Sequence, residues 1–326
     1  MAPADLAPPT LRDVLDARRL LATHLQPTPT GTYPALDRAT GTHVVVKHEN
    51  HQPTGAFKVR GALNLLLRLT PDERAHGVTA FSTGNHAQAV AHAARTTATP
   101  CTIVMPTHPN PTKADAVRDL GARLVLAGTT FDDAREHATA LAAEDGSRLV
   151  SAANEPLLVA GVATAYLELL ADAPDLDVLV VPVGGGSGAA AACLVAQALA
   201  PGLEVVAVQS AASPAAHDSW RARDLVARRN TSRAEGLATG TGFALTQAVL
   251  REHLDDFVLV DDDTIDRAAA LYLTAARTVA EGAGAAALAA VLADPARFAG
   301  RRVGVVCSGG NASPAELRRV SAHLPR

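Results

Sequence analysis

Between residues 43 and 310 short runs of valine, leucine and isoleucine alternate with longer alanine-rich or amphipathic segments, and no other feature limits the fold as much. The runs 43–49 (HVVVKHE), 78–82 (VTAFS), 101–106 (CTIVMP), 123–128 (RLVLAG), 177–183 (DVLVVPV), 204–209 (EVVAVQ) and 302–310 (RVGVVCSGG) read as strands. Segments 61–69, 86–95, 111–121, 131–146 and 189–200 read as the helices between them. Strand and helix repeated in this way pack as parallel sheets wrapped by helices, so the expected class is α/β. With 326 residues the chain is long enough for two core-bearing lobes, although composition does not mark the boundary between them. Such sheets bind ligands beyond the carboxyl ends of their strands, where loops lead into helix starts. Segment 210–240 is the least regular and reads as a helix with surface loops around that site.

Hydrophobic residues make up 48% of the chain and aromatic ones only 3%, so alanine, valine and leucine must fill the core. The net charge of −4 comes with no basic block, which argues against nucleic acid or an anionic membrane as partner. No apolar run reaches the length of a membrane span, and the first ten residues (MAPADLAPPT) lack the basic, apolar pattern of a signal peptide. Cys101, Cys193 and Cys307 lie far apart and read as small buried hydrophobes. The expectation is a soluble cytoplasmic protein.

Four loops ask for the same ligand. In PTGAFKVRGA (53–62) Lys58 follows a glycine-containing approach and precedes an apolar run. A buried amine there has a depressed pKa and attacks aldehydes, whereas a solvated amine has no such role. In FSTGNHAQ (81–88) Ser82, Thr83, Gly84, Asn85 and His86 lead from a strand end into a helix start, whose N–H groups suit a carboxylate. In VPVGGGSGAAAAC (181–193) Gly184, Gly185, Gly186, Ser187 and Gly188 form a backbone cradle for phosphate. No GK[ST] follows, and no acidic residue ends a second strand, so neither a P-loop nor a dinucleotide fingerprint is present. In VCSGGN (306–311) Ser308 ends a strand, with room beside it for a flat ring. Each loop alone also has an ordinary structural reading: a solvated lysine, a capped helix, close helix–sheet packing, a turn. Together they describe pyridoxal phosphate with an amino acid as substrate.

At these residues the chain resembles the tryptophan-synthase-β-like (fold type II) pyridoxal phosphate family, in its serine/threonine dehydratase and serine racemase branch. The motifs are KHENHQPTGAFKVRGA (47–62), STGNHAQAVA (82–91), EGAGAAALAA (281–290) and CSGGN (307–311). The stretch AEGLATGTGFALT (234–246) and the STGNH variant resemble dehydratases such as those of hydroxyectoine breakdown. The resemblance implies two open, twisted parallel-sheet lobes with the cofactor in the cleft between them. It implies a large cofactor domain of 1–76 plus 155–326, a small mobile substrate-loop domain of 77–154, and a homodimer. Lys58 becomes the Schiff-base lysine and general base, Phe57 flanks the cofactor, and Asn85 meets its phenolic oxygen. Residues 184–188 hold its phosphate, Ser308 faces the pyridine nitrogen, and Glu281 falls near the site. Ser82, Thr83, Gly84, Asn85 and His86 hold the substrate carboxylate.

Three departures from the family pattern matter. Ser187 replaces the last of four glycines, and its hydroxyl still donates to phosphate. Gln209 stands just after the strand expected to end at Val208, where metal-dependent members carry an acidic residue, so no activating divalent cation is expected. Thr83 stands where racemases place a serine hydroxyl on the far face of the cofactor, so side racemisation stays open. The implied activity is a hydroxy-amino-acid dehydratase of the threonine/serine ammonia-lyase type: loss of water, then release of a 2-oxo acid and ammonia. Racemisation, β-replacement of the cysteine-synthase kind and a non-enzymatic ligand-binding regulator are the alternatives. The β-substituent of the substrate is not set by these residues.

Overall fold

The structure, a computed structural model, describes residues 6–109 and 111–324. Its strands are β1 (Thr30–Thr32), β2 (His43–Lys47), β3 (Val78–Phe81), β4 (Cys101–Met105), β5 (Arg123–Leu126), β6 (Arg148–Val150), β7 (Val178–Pro182), β8 (Glu204–Ser210), β9 (Asp256–Val260) and β10 (Arg302–Val306). They form a six-stranded sheet in the order β1-β2-β10-β7-β8-β9 and a four-stranded sheet in the order β5-β4-β3-β6. Every neighbouring pair is parallel except β1 with β2, which is antiparallel. The expectation of purely parallel sheets is corrected at that edge: β1 and β2 are joined through the short helix Pro34–Thr40, whose left-handed Gly41 cap turns the chain back. The small sheet is built entirely from the segment between β2 and β7.

The central strands β7, β8 and β10 are nearly continuous apolar runs because helices cover both faces. In the large sheet Val44, Val46, Val178, Val180, Val206, Val208, Val303 and Val305 pack against the helix Gly282–Ala293. Their neighbours Val45, Leu179, Val181, Val205 and Ala207 face the helices Pro156–Asp172 and Ser187–Leu199. Register keeps the layers aligned: Val303 lies opposite Val44 on one side and Val178 on the other. Alanine supplies little area per residue, so the helices approach closely, and valine, at roughly 1.5–3 kcal/mol per fully buried side chain, carries much of the burial. The small sheet repeats the scheme. Val78, Ala80, Ile103 and Met105 face the helices Lys58–Leu66 and Asn85–Thr97, while Phe81 and Val104 face Ala134 and Ala138 of the helix Phe131–Asp145.

A buried ionic network anchors the helix that carries Lys58. Arg60 donates to Glu49 at 2.7 and 2.8 Å and to Glu168 at 2.6 Å, and Lys47 donates to Glu168 at 2.8 Å. It joins β2, the helix Lys58–Leu66 and the helix Pro156–Asp172. Such a network is costly to break because each lost partner strands a buried charge. Among the described residues no helix is long and apolar enough to cross a membrane. The three cysteines are free; Cys193 and Cys307 are buried in the core, and Cys101 is partly covered.

Candidate active site

The loops that follow β3, β7 and β10 open into one cleft between the two sheets, and every residue assigned from the sequence to the cofactor or the substrate lines it. Its cavity volume is about 130 Å³. Lys58 begins its helix beside Phe57, whose backbone N–H donates to the Ser308 carbonyl at 3.1 Å. The Lys58 amine reaches into the cleft, donating to the Ala152 carbonyl at 3.0 Å and to Ser187 Oγ at 2.8 Å. Burial disfavours its charged form and lowers its pKa to about 8. The inward turn of this lysine is thus a geometric fact.

Two helices point uncapped starts at this amine. Elsewhere Thr10, Thr70, Thr130, Asp261 and Ser313 cap helices with their side chains, while helices such as Ala215–Ala222 and Ala244–His253, away from the amine, also start without such a cap. The helices Asn85–Thr97 and Ser187–Leu199 follow Gly84 and Gly186 with no side-chain cap. Their first N–H groups and dipoles therefore face the cleft, which suits two anionic groups. At the second start a Cβ on Gly184 would lie 2.3 Å from the Gly236 carbonyl oxygen, and Gly186 has φ +91°. Only glycine lets the backbone itself line the wall there. Ser187, in place of the fourth glycine, turns its hydroxyl to Lys58.

The remaining predicted residues sit around the same space. Asn85 donates to Glu281 in a short hydrogen bond, and its oxygen accepts from Asn311 at 2.8 Å. One amide N–H stays available for a ring oxygen. Glu281 is buried; burial raises its pKa to about 7, opposed by the Lys113 amine and the bond from Asn85. Ser308 donates to the Ala283 carbonyl at 3.1 Å and lines the cleft. His86 Nε2 lies 3.1 Å from the Val150 carbonyl, so it carries the proton, and burial holds the ring neutral with a pKa of about 3. Its side chain is therefore a poor donor to a carboxylate, and the backbone N–H at this position is the better one. Ser82 Oγ accepts from the Gly84 N–H at 3.2 Å and shapes the loop, and Thr83 lines the cleft.

Gln209 needs a correction of place. β8 runs on to Ser210, so Gln209 is inside the strand and buried. Its oxygen accepts from the backbone of Ala216 and His217 at 3.2 and 3.1 Å, which starts the helix Ala215–Ala222.

Sequence reasoning missed Lys113, Glu235, Thr239 and Phe243, which also line the cleft. The last three lie in 234–246, a stretch singled out for its motif but given no site role. Lys113 follows β4, a position that the strand-end rule covers, but a lone lysine in the first turn of a helix carries no signal of its own.

A buried amine of lowered pKa, a glycine-lined anion cradle, a second uncapped helix start and a buried hydroxyl fit pyridoxal phosphate and an amino acid. The family model described as "Pyridoxal-phosphate dependent enzyme" matches residues 21–309. The chain belongs to the pyridoxal-phosphate dependent enzymes. It is 38% identical to an L-threonine ammonia-lyase of Thermotoga maritima over 93% of this chain and 75% of that one. It is 34% identical to an L-threo-3-hydroxyaspartate ammonia-lyase of Saccharomyces cerevisiae over 93% of each. Among solved structures it superimposes on maize serine racemase with a TM-score of 0.91, at 27% identity, covering 97% of this chain and 98% of that one.

For a pyridoxal phosphate enzyme the Lys58 pKa has a direct consequence. Only the neutral amine attacks an aldehyde, so cofactor capture by the apo-protein is expected to quicken about tenfold per pH unit below about pH 8 and to level off above it. Stopped-flow absorbance on adding pyridoxal phosphate measures this. A rate flat from about pH 6 to 9 contradicts the assignment of Lys58 as the capturing amine.

Proposed function

We propose that the protein is a hydroxy-amino-acid ammonia-lyase, which removes water from an L-amino acid bearing a β-hydroxyl and releases a 2-oxo acid and ammonia. The observation that carries this reading is the Lys58 amine, held at the cleft wall between the two uncapped helix starts. Bound pyridoxal phosphate supplies the electron sink that acidifies the substrate's α-carbon. Residues 184–188 hold the phosphate, Phe57 flanks the ring, Asn85 meets its oxygen and Ser308 its nitrogen.

The chain's own groups do the rest. Backbone N–H groups at the start of the helix Asn85–Thr97 orient the substrate carboxylate. Lys58 Nζ, poised near neutral pH, takes the α-proton. The Ala152 carbonyl and Ser187 Oγ accept from that amine and aim it. The β-hydroxyl then leaves as water, and hydrolysis of the dehydrated product gives the 2-oxo acid and ammonia. The names of the Thermotoga and Saccharomyces relatives favour this reaction, with L-threonine or L-threo-3-hydroxyaspartate as substrate, and L-serine is a third candidate of the same chemistry.

Thr83 supports a second reading. Its hydroxyl lines the cleft, and a protein of nearly superimposable backbone is called a serine racemase. A hydroxyl on the face opposite Lys58 returns the α-proton with inverted configuration. The reading also takes the protein to be a cytoplasmic homodimer, with a large domain of 1–76 plus 155–326 and a mobile small domain of 77–154. It includes no activating divalent cation.

The test supplies the cofactor-loaded protein with each of the three amino acids and measures 2-oxo acid and ammonia together. Equal amounts of both products, with retained configuration in the remaining substrate, are expected. Loss of optical activity without oxo acid moves the assignment to racemisation, and little oxo acid in the absence of a thiol or other acceptor points to β-replacement.

A further inference from the structure

Lys113 and Glu235 form an ion pair across the cleft and have no part in the reaction as described so far. Lys113 lies in the first turn of the helix Pro111–Asp119, beyond β4 of the small sheet. Glu235 opens the 3-10 turn Glu235–Leu237, which follows β8 of the large sheet. The two partners are unequally placed. Lys113 is 6% exposed, whereas the Glu235 side chain is 48% exposed. A helix start repels a cation, so this amine needs acids from elsewhere in the fold: it pairs with Glu235, and the Glu281 and Glu316 carboxyls also attract it.

The amine also faces the loop 82–86. A Cβ placed on Gly84 would lie 3.8 Å from Lys113 Nζ, so the amine stands against the uncapped start of the helix Asn85–Thr97. The amine and the open N–H groups both call for negative charge at one place. The other basic side chains lining the cleft, among the described residues, are Lys58 and His86. Lys58 is committed to the cofactor, and His86 is neutral. Glu235, half in solvent on a short turn, gives up its partner more cheaply than a buried acid would.

We propose that Lys113 is the counter-ion of a substrate carboxylate, and that Glu235 occupies it only until the substrate arrives. This rests on the ammonia-lyase reading for its choice of substrates. Binding then breaks the cross-cleft pair and replaces it with a lysine–carboxylate pair beside the loop 82–86. Lys113 is a specificity-determining residue in this scheme, and Glu235 competes with the substrate.

The two residues therefore have opposite effects. Lys113→Met is expected to raise KM about 10- to 100-fold with kcat little changed, the pattern of lost uniform binding. Lys113→Arg restores most of the affinity. Glu235→Gln is expected to lower KM several-fold, because it removes the competitor. Parallel assays with L-threonine and L-threo-3-hydroxyaspartate identify the carboxylate. Equal losses assign Lys113 to the α-carboxylate, and a loss confined to the dicarboxylate assigns it to the one at the β-carbon. KM unchanged in Lys113→Met, or Glu235→Gln and Lys113→Met shifted in the same direction, overturns the proposal, since a simple strut between the sheets behaves that way. Calorimetric titration of the cofactor-loaded variants with propionate and succinate gives the same ranking without turnover. Affinity ranked Glu235→Gln above wild type above Lys113→Met supports the proposal even if no 2-oxo acid is formed, and equal affinities overturn it even if the lyase activity stands.

Discussion

Lys58→Ala is expected to abolish the visible absorbance that lysine-bound pyridoxal phosphate gives and to lower turnover by about a thousandfold or more. Two functions are lost at once: the amine that holds the cofactor and the base that takes the α-proton, the second alone being worth roughly 10²–10⁴-fold. The fold should survive. The side chain lines the cleft rather than the hydrophobic core, its partners are a carbonyl and a hydroxyl, and its helix is held from below by Arg60. Circular dichroism and thermal unfolding close to wild type distinguish this result from misfolding. An added small primary amine restores part of the turnover if the missing group is the base. Turnover within tenfold of wild type without such an amine would remove Lys58 from the mechanism.

Gly184→Ala carries the second large effect. A Cβ at this position would lie 2.3 Å from the Gly236 carbonyl oxygen and 3.5 Å from the Leu237 Cα. Both contacts are backbone, so no side-chain rotation relieves them. Overpacking of this kind typically costs 1–3 kcal/mol, and here it is relieved by moving the cradle or the 3-10 turn away. A weakening of pyridoxal phosphate binding of about tenfold or more is expected, each tenfold being 1.4 kcal/mol. Equilibrium dialysis of the variant measures it, with the melting temperature of the apo-protein as control. Unchanged cofactor affinity together with an unchanged melting temperature would show that the cradle has the slack that the close approach denies. Gly186→Ala strains the same cradle by another route, since φ there is +91° and the Thr246 side chain lies within 3 Å of the added methyl.

Much of this architecture was legible in the chain. The strands β2, β3, β4, β5, β7, β8 and β10 coincide with the predicted runs; most are apolar because both faces are buried, whereas the edge strand β5 has no buried position and shows only through its Leu-Val-Leu run. The strands that escaped notice are short or edge strands. β1 is a three-residue Thr-Gly-Thr piece, β6 is three residues long, and β9 is an edge strand with partly exposed positions. Lys58, the loops 82–86 and 184–188 and Ser308 were legible for another reason. Each depends on a local requirement: glycine where backbone must form the wall, or a small polar residue where a strand hands over to a helix.

Charge was read least well. Lys47, Glu49 and Arg60 look like solvated residues, yet they are buried in one network that also includes Glu168, 108 positions beyond Arg60. Lys113 and Glu235 are 122 positions apart, and no pattern along the chain links them.

The sequence by itself determined the α/β layering, the loops that line the cleft and the cofactor of the family. These follow from backbone preferences and side-chain periodicity, which act over a few residues. Only the tertiary structure decided that two uncapped helix starts face one amine, that His86 is neutral, and that Lys113 meets Glu235 across the cleft. Burial and pairing of charge depend on how the two sheets face each other, and that is set by the packing of the whole chain rather than by any one segment.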